Sequence, residues 1–388
     1  MKTFYEFFAG SGMARAGLGE GWKCVFANDF DHKKGSSYQQ NWGGDDLYVG
    51  DVKSVKPEQL RENANLIWAS FPCQDLSLAG AGAGLKGERS GTFWPFWSIV
   101  KEKIAEGNAP EIIALENVCG MITSHKGEDF AAICAAFDQI GYQYGAMVVD
   151  ASLFLPQSRP RLFIIGVRND IDISSINSAE PSKIWHTRTL VKAQSQLPKE
   201  IKKRWVWWSM PMPPKRTSVF ADLIEENPTG VKWHSGLETQ QLLEMMTEVN
   251  LAKVQAAKKL SSELKYKVVG TIYKRTRIDN AGVKAQRAEV RFDDVAGCLR
   301  TPGGGSSRQL IMVVEKGRVR TRLISSRETA RLMGLPDDYI LPQNYNEAYH
   351  LTGDGVVVPV VSHIKTHIFD AVMAQVFVRD DDLIKEIA

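Results

Sequence analysis

"FYEFFAGSGM", Phe4–Met13, is an apolar run that stops at two glycines, Gly10 and Gly12, and leads into the helix-forming "MARAGLGEG". Strand, glycine turn and helix in that order put small residues at the carboxyl end of a strand, where the backbone of an open α/β sheet can approach a ligand. A dinucleotide fingerprint needs a third glycine. Arg15 stands in its place, which disfavours a nicotinamide or flavin enzyme. Further along, "KCVFAND", "NLIWASF", "EIIALENV", "YGAMVVDA" and "RLFIIGV" read as strands, and "FWPFWSIVKEKIAEG" and "EDFAAICAAFDQIG" as helices. This alternation, over about the first 170 residues, predicts an α/β fold with a doubly wound, mainly parallel sheet.

The pattern breaks at "ISSINSAEPSKIW". A first domain is therefore expected over 1–185, a second and smaller one over 186–322, and a segment 323–388 that returns to the first. Charge agrees with this division. The stretch from His186 to Arg322 carries 26 Lys and Arg against 13 Asp and Glu, while the rest is acidic, so the net charge of +3 hides a basic segment on an acidic body. Such a segment suits a polyanion, although a solvated lysine-rich surface has the same count. Within it, one helix is expected over about 237–265. "KKRWVWWSMPMPPKR" interleaves basic and aromatic residues and reads more as local core than as a nucleic acid contact. "RTPGGGSSRQ" sets Arg300 and Arg308 at the edges of a glycine-rich loop that suits either a phosphate backbone or an ordinary turn.

With 388 residues, 44% of them apolar, the chain has material for two domains and a sizeable core. No uninterrupted apolar run approaches ~20 residues, so no membrane span is expected. The N-terminus reads as a first strand and not as a secretory leader. Five cysteines (24, 73, 119, 134 and 298) make no C-x-x-C pair, which argues against a disulfide framework or a cysteine zinc site and for a reducing cytoplasm. His363 and His367 are four apart with no carboxylate or H-E-x-x-H beside them. They read as surface helix residues, and no metal is expected.

Asp29, ending the second strand, is placed to accept from two ribose hydroxyls, with Phe30 available for an adenine face. Asp51, in "VGDV", is placed to accept from an adenine amino group. Each acid alone is an ordinary loop or cap residue; together they fit a nucleoside-bearing cofactor without a pyrophosphate. Cys73, in "ASFPCQDLS", follows an apolar strand at the start of a loop, where open α/β sheets carry their active sites. Even as a minor thiolate fraction it is the strongest soft nucleophile in the chain. Glu116 ends another strand. Arg159 and Arg161, at alternate positions, are expected to share one face and converge with Cys73 and Glu116 on one sheet edge.

In order, "FAGSG", "FPCQDLS", "LENV", "QSRPRLF", "RETARLMGLPDDY" and "GDGVVVPV" resemble the motif series of the DNA (cytosine-5)-methyltransferases of bacterial and phage type. The resemblance covers about residues 4–170 and 320–365. It implies an S-adenosylmethionine-dependent methyltransferase fold, with the basic middle segment as the target-recognition domain. Cys73 would then add to C6 of a cytosine turned out of duplex DNA. Glu116 would hold N3 and the exocyclic amine, Arg161 would hold O2, and Arg159 would support the catalytic loop. Around S-adenosylmethionine the resemblance sets Phe8, Gly10, Ser11, Gly12 and Met13 after the first strand. It adds Asp29, Phe30, Asp51 and Val52 at the next two strand ends, then Pro72 and Val356. "LAGAGAGLKGERSG" after Cys73 would close over the extruded base. Met13, Thr92 and the Asp354 of "GDG" depart from the common family pattern without touching Cys73, Glu116 or Arg161. A cytoplasmic, monomeric enzyme is expected, with a cognate restriction endonuclease left open. The rival readings are an RNA-directed member acting on tRNA and a non-catalytic binding relative. The length of the basic segment favours duplex DNA over the first, and the intact cysteine, glutamate and arginine set opposes the second.

Overall fold

The computed structural model describes residues 1–60, 62–72, 92–263, 265–278, 282, 284–299 and 308–387, with side chains through residue 378. Cys73, the loop 78–91 and most of "RTPGGGSSRQ", including Arg300, lie outside the described residues.

Seven strands form the main sheet: β1 (Lys2–Phe7), β2 (Trp22–Asp29), β3 (Leu47–Val49), β4 (Leu66–Ala69), β5 (Ile112–Val118), β6 (Tyr142–Asp150) and β7 (Pro160–Arg168). Their order is β3-β2-β1-β4-β5-β7-β6. The first five pair in parallel, whereas β7 runs antiparallel to both β5 and β6. Strands covered on both faces must be apolar throughout, and all four residues of β4 are buried. From β1 the chain winds outward through β2 to β3, then returns to β4 on the other side. The carboxyl ends of β1 and β4 therefore flank the point where the winding reverses, which is where such sheets open a crevice.

Helices α1 (Met13–Leu18), α2 (His32–Trp42), α3 (Phe93–Ala105) and α4 (Glu128–Gln139) belong to this layer. An aromatic chain joins helices to sheet: ring centroids lie 5.0 Å apart for Phe7–Phe96, 5.5 Å for Phe93–Trp97, 5.0 Å for Trp97–Phe137 and 5.6 Å for Phe137–Tyr144. Edge-on and offset contacts at these distances suit aromatic quadrupoles. Helix α2 has no apolar stripe and escapes a reading by periodicity. Asp31 caps it through Lys33 N and Lys34 N, and Tyr38 is its buried anchor.

Two compact units result: 1–150 with 160–213 and 358–388, and 151–159 with 214–357. This differs from the domains expected from charge and linkers, since 186–213 joins the first unit and 323–357 the second. Backbone bonding explains the first difference. Tyr144 N donates to Arg204 O (2.9 Å) and Val206 N to Tyr144 O (2.7 Å). Trp208 is fully buried and Trp205 packs on the main core, as the local-core reading of this cluster expects. His363 and His367 are half-buried, not surface residues; their rings lie 4.4 Å apart, and His363 Nε2 donates to the Pro211 carbonyl at 2.9 Å. The run Tyr345–Val378 has, by length and composition alone, what a bilayer crossing needs, and half of its most apolar stretch is buried, as core helices also are.

The second unit is built on an antiparallel sheet of β8 (Val268–Ile278), β9 (Lys284–Arg291), β10 (Leu310–Glu315) and β11 (Arg318–Leu323), in the order β9-β8-β10-β11. The single helix expected over 237–265 is two, α5 (Gly236–Glu244) and α6 (Glu248–Glu263). The break has a use: Met245 O, freed from the helix, accepts from Ala288 N at 3.1 Å. Thr247 O then starts α6 by accepting from Asn250 N and Leu251 N. Leu242, Met246, Val254, Ile272, Val290 and Met312 form the core between these helices and the sheet.

Gly145 tests the attachment of the 204–208 stretch. A Cβ there would lie 1.9 Å from Val206 O, a backbone atom that cannot swing aside. Gly145→Ala is expected to cost about 2 kcal/mol or more through this overlap, read as a lower urea midpoint at unchanged slope.

Candidate active site

The turn after β1 takes an unusual backbone path. Phe8, Gly10 and Gly12 have φ of 56°, 58° and 80°, and Gly12 N closes the turn on Ala9 O at 2.8 Å. A Cβ on Gly12 would lie 2.4 Å from Trp42 Nε1, whose N–H donates to Ser11 O at 2.9 Å. A Cβ on Gly10 would meet nothing within 4 Å, so this side of the turn is open. Ser11 and Met13 are buried behind it. At the end of β2 the Asp29 carboxylate accepts from Gly10 N (2.7 Å) and Asp31 N (2.8 Å). Burial pushes the Asp29 carboxyl upward, and these backbone donors oppose the rise. Phe30 leaves 73% of its surface uncovered. After β3, Asp51 accepts from Lys53 N at 3.0 Å, with Val52 buried beside it.

Open space at Gly10, an uncovered aromatic ring and two carboxylates along three neighbouring strand ends fit an adenosine-bearing group. Pro72 follows β4 and is exposed. Val356 is buried in the second unit.

Glu6, the last residue but one of β1, carries no role in the sequence reading. It is 1% exposed; Oε1 accepts from Arg15 N at 3.3 Å, and Oε2 has no hydrogen-bond partner among the described residues. Desolvation pushes its carboxyl up to about 8, against the lowering effect of the Arg15 and Ala14 backbone donors. The signal was present in the sequence, as a glutamate inside an apolar strand.

At the end of β5, Glu116 meets Arg161: Oε1 is 3.3 Å from Arg161 Nε. The pair follows from antiparallel register, in which Val118 faces Arg161 and Glu116 faces Phe163. Both side chains are largely covered, at 9% and 15% exposure, so the attraction is only weakly screened. Asn117 was missed as a functional position although it lies in the same motif. Its Nδ2 donates to Phe71 O at 3.0 Å and its Oδ1 accepts from Val118 N at 2.8 Å. That bond ties the end of β5 to the segment leaving β4, two residues before Cys73. Cys119 is half-buried; desolvation pushes its thiol up, while Arg161 pulls it down.

Arg159 precedes the strand that carries Arg161. The strand begins at Pro160, and Arg159 belongs to the second unit. There its guanidinium, 1% exposed, donates to the carbonyls of Leu299 (3.1 Å), Gly353 (2.7 Å) and Gly355 (2.7 Å). Alternation within a strand could not predict this, because the residue precedes the strand.

The reversing sheet with its glycine turn and antiparallel last pair is that of an S-adenosylmethionine-dependent methyltransferase fold. Comparison with known proteins narrows the class. Residues 2–370 match the family model described as C-5 cytosine-specific DNA methylase. The chain is 25% identical to the type II methyltransferase M.HhaI of Haemophilus parahaemolyticus over 368 residues, covering 94% of this chain and 93% of that protein. It is likewise 25% identical to M.BsuFI of Bacillus subtilis, covering 93% and 71%. Among solved structures, the Entamoeba histolytica methyltransferase EhMeth superposes with a TM-score of 0.61 at 13% identity, covering 96% of this chain and 98% of that one. The S. pombe Dnmt2 methyltransferase superposes at 0.56 and 16%, covering 96% and 99%. This chain belongs to the C-5 cytosine-specific DNA methylase family and is a DNA cytosine-5 methyltransferase.

Glu6 generates a pH prediction. The folded state keeps its proton up to about pH 8, whereas the unfolded chain releases it near 4.5. Stability from this group is therefore complete below pH 4.5 and is lost as pH rises through 8, by up to ~5 kcal/mol. Glu6→Gln removes the ionisation. It should match the wild type at pH 4 and exceed it increasingly towards pH 9, as followed by urea unfolding at each pH.

Proposed function

We propose that the chain methylates C5 of a cytosine flipped out of a specific duplex DNA sequence, through a covalent adduct between Cys73 and C6. Cytosine C5 is too weak a nucleophile to attack a methyl donor unaided. Thiolate addition forms the S–C6 bond, breaks the π component of the 5,6 double bond and puts its electron density on C5. Glu116 donates to N3 and accepts from the exocyclic amine as the ring becomes electron-rich, and Arg161 binds O2. S-adenosylmethionine supplies an electrophilic methyl group when bound. A base then removes the C5 proton, and the Cys73 thiolate leaves as the ring regains its double bond. Flipping is required because these faces of the base are closed inside a duplex, at a cost of a few kcal/mol.

The observation that carries this reading is the Asn117–Phe71 hydrogen bond, which joins the strand end bearing the Glu116–Arg161 pair to the chain just before Cys73. Asp29 and Asp51 are assigned to the cofactor's ribose and adenine, with Phe30 on the adenine face. Arg159 is assigned a positioning role through the carbonyls it gathers. The part of the basic segment that lies in the second unit, residues 214–322, is assigned to target recognition on its charge. The likeness to type II methyltransferases supports a role as the modification partner of a restriction endonuclease in a bacterial or phage setting.

DNA containing 5-fluorocytosine should give a denaturant-resistant complex with the wild type and none with Cys73→Ala; equal yields would remove Cys73 from the mechanism. Asp29→Ala should weaken S-adenosylmethionine binding by about 10- to 100-fold, the worth of a charge-assisted hydrogen bond, as measured by calorimetry. Unchanged affinity would reassign the ribose site.

A further inference from the structure

Strand β8 is eleven residues long, but only its first part belongs to a sheet of more than two strands. Val268–Ile272 pair with β10, whereas Tyr273–Ile278 pair with β9 alone. The last five residues of β8 are all exposed. The hairpin thus projects from the sheet as a two-stranded ribbon about 17 Å long, at ~3.4 Å per residue. The turn residues 279–281 and 283 lie outside the described residues.

The charges on this ribbon oppose its stability. Between Val268 and Arg291 the sequence has six basic residues and two acidic ones. Arg275 is directly opposite Arg287, and like charges facing each other across strands repel. On the same face, Arg277 is bonded to Glu289 at 2.6 Å, and Arg275 lies 3.6 Å from that carboxylate. One glutamate thus balances two of the three arginines. Among the described residues no ion pair is recorded for Arg287. An isolated hairpin is marginally stable in water even without such repulsion, so this arrangement calls for an external anion.

We propose that the Tyr273–Ile278 and Lys284–Glu289 ribbon enters the major groove of duplex DNA, with Arg275, Arg277 and Arg287 facing the nucleic acid. The inference rests on the reading of the chain as an enzyme of duplex DNA. A B-form major groove, about 12 Å wide, admits a two-stranded β-ribbon, whereas the deep, narrow major groove of A-form RNA does not. Arginine, with its planar fork, suits both phosphate and guanine edges.

The test compares full-length wild type, R275Q/R287Q and the charge-matched K258Q/K259Q on α6. Binding of random-sequence duplex DNA is followed by anisotropy over a salt series, with methylation of the same DNA measured in parallel. R275Q/R287Q should lose at least about tenfold in affinity, and its log–log salt slope should fall by about 1.8, ~0.9 per lost phosphate contact. Its urea midpoint should stay level or rise, because a repulsion has been removed; a merely structural role would lower it. Unchanged affinity and slope in R275Q/R287Q, or an equal loss in K258Q/K259Q, overturns the proposal. So does a loss confined to unmodified tRNA. A wild type that neither binds nor methylates duplex DNA would instead defeat the reading on which the inference rests.

Discussion

A parallel sheet whose winding reverses at two neighbouring strands leaves their carboxyl ends with connections that depart in opposite directions, and the first unit is organised around that divergence. The turn after β1 can be open only because Gly10 and Gly12 accept left-handed backbone, and because Trp42 occupies the space a Cβ on Gly12 would need. The segment after β4 is held by Asn117 from the next strand. Antiparallel β7 then brings Arg161 to the end of β5, where a parallel neighbour would present its opposite end. The open turn after β1 and the Glu116–Arg161 pair thus lie at strand ends of one sheet.

Much of this was legible in the residues. Apolar runs ending in glycine, aspartate or glutamate located the ends of β1, β2, β3 and β5, because an ionisable or flexible residue after a buried strand marks where the chain leaves the core. What escaped was what periodicity does not encode. Helix α2 has only Tyr38 as a large buried anchor and is stabilised at its start by Asp31. The break between α5 and α6 is set by a partner strand that uses Met245 O, a long-range bond without a local signature. Arg159 sits one residue before its strand and spends its guanidinium on three carbonyls of its own unit. Charge counting marked out a basic segment but drew its border too early, because backbone pairing does not depend on net charge.

The second unit treats its charges in two ways. Arg322 and Glu328 are both 0% exposed and form a two-pronged pair, and Glu328 also accepts from Glu225 N and Ser325 N. Both carboxylate oxygens are bonded, whereas Arg322 Nε has no hydrogen-bond partner among the described residues; a buried pair of this kind adds little net stability, because desolvation offsets its attraction. Arg320 and Arg322 also lie over the Trp233 ring at 4.1 Å and 4.7 Å. Arginine is thus structural at one end of the sheet, near β11, and solvent-facing at the other, on β8.

The bonds from Tyr144 to Arg204 and Val206, with Val148 N donating to Trp185 O at 2.8 Å, have a consequence for the outermost strand of the large sheet. Strand β6 would otherwise offer a row of unsatisfied amides and carbonyls on which a second molecule could stack. The 185–206 stretch acts as a built-in guard rail along that margin. A fragment cut after residue 185, where composition alone invites the cut, would lose most of this rail and be prone to self-association; one ending beyond Pro213 would keep it.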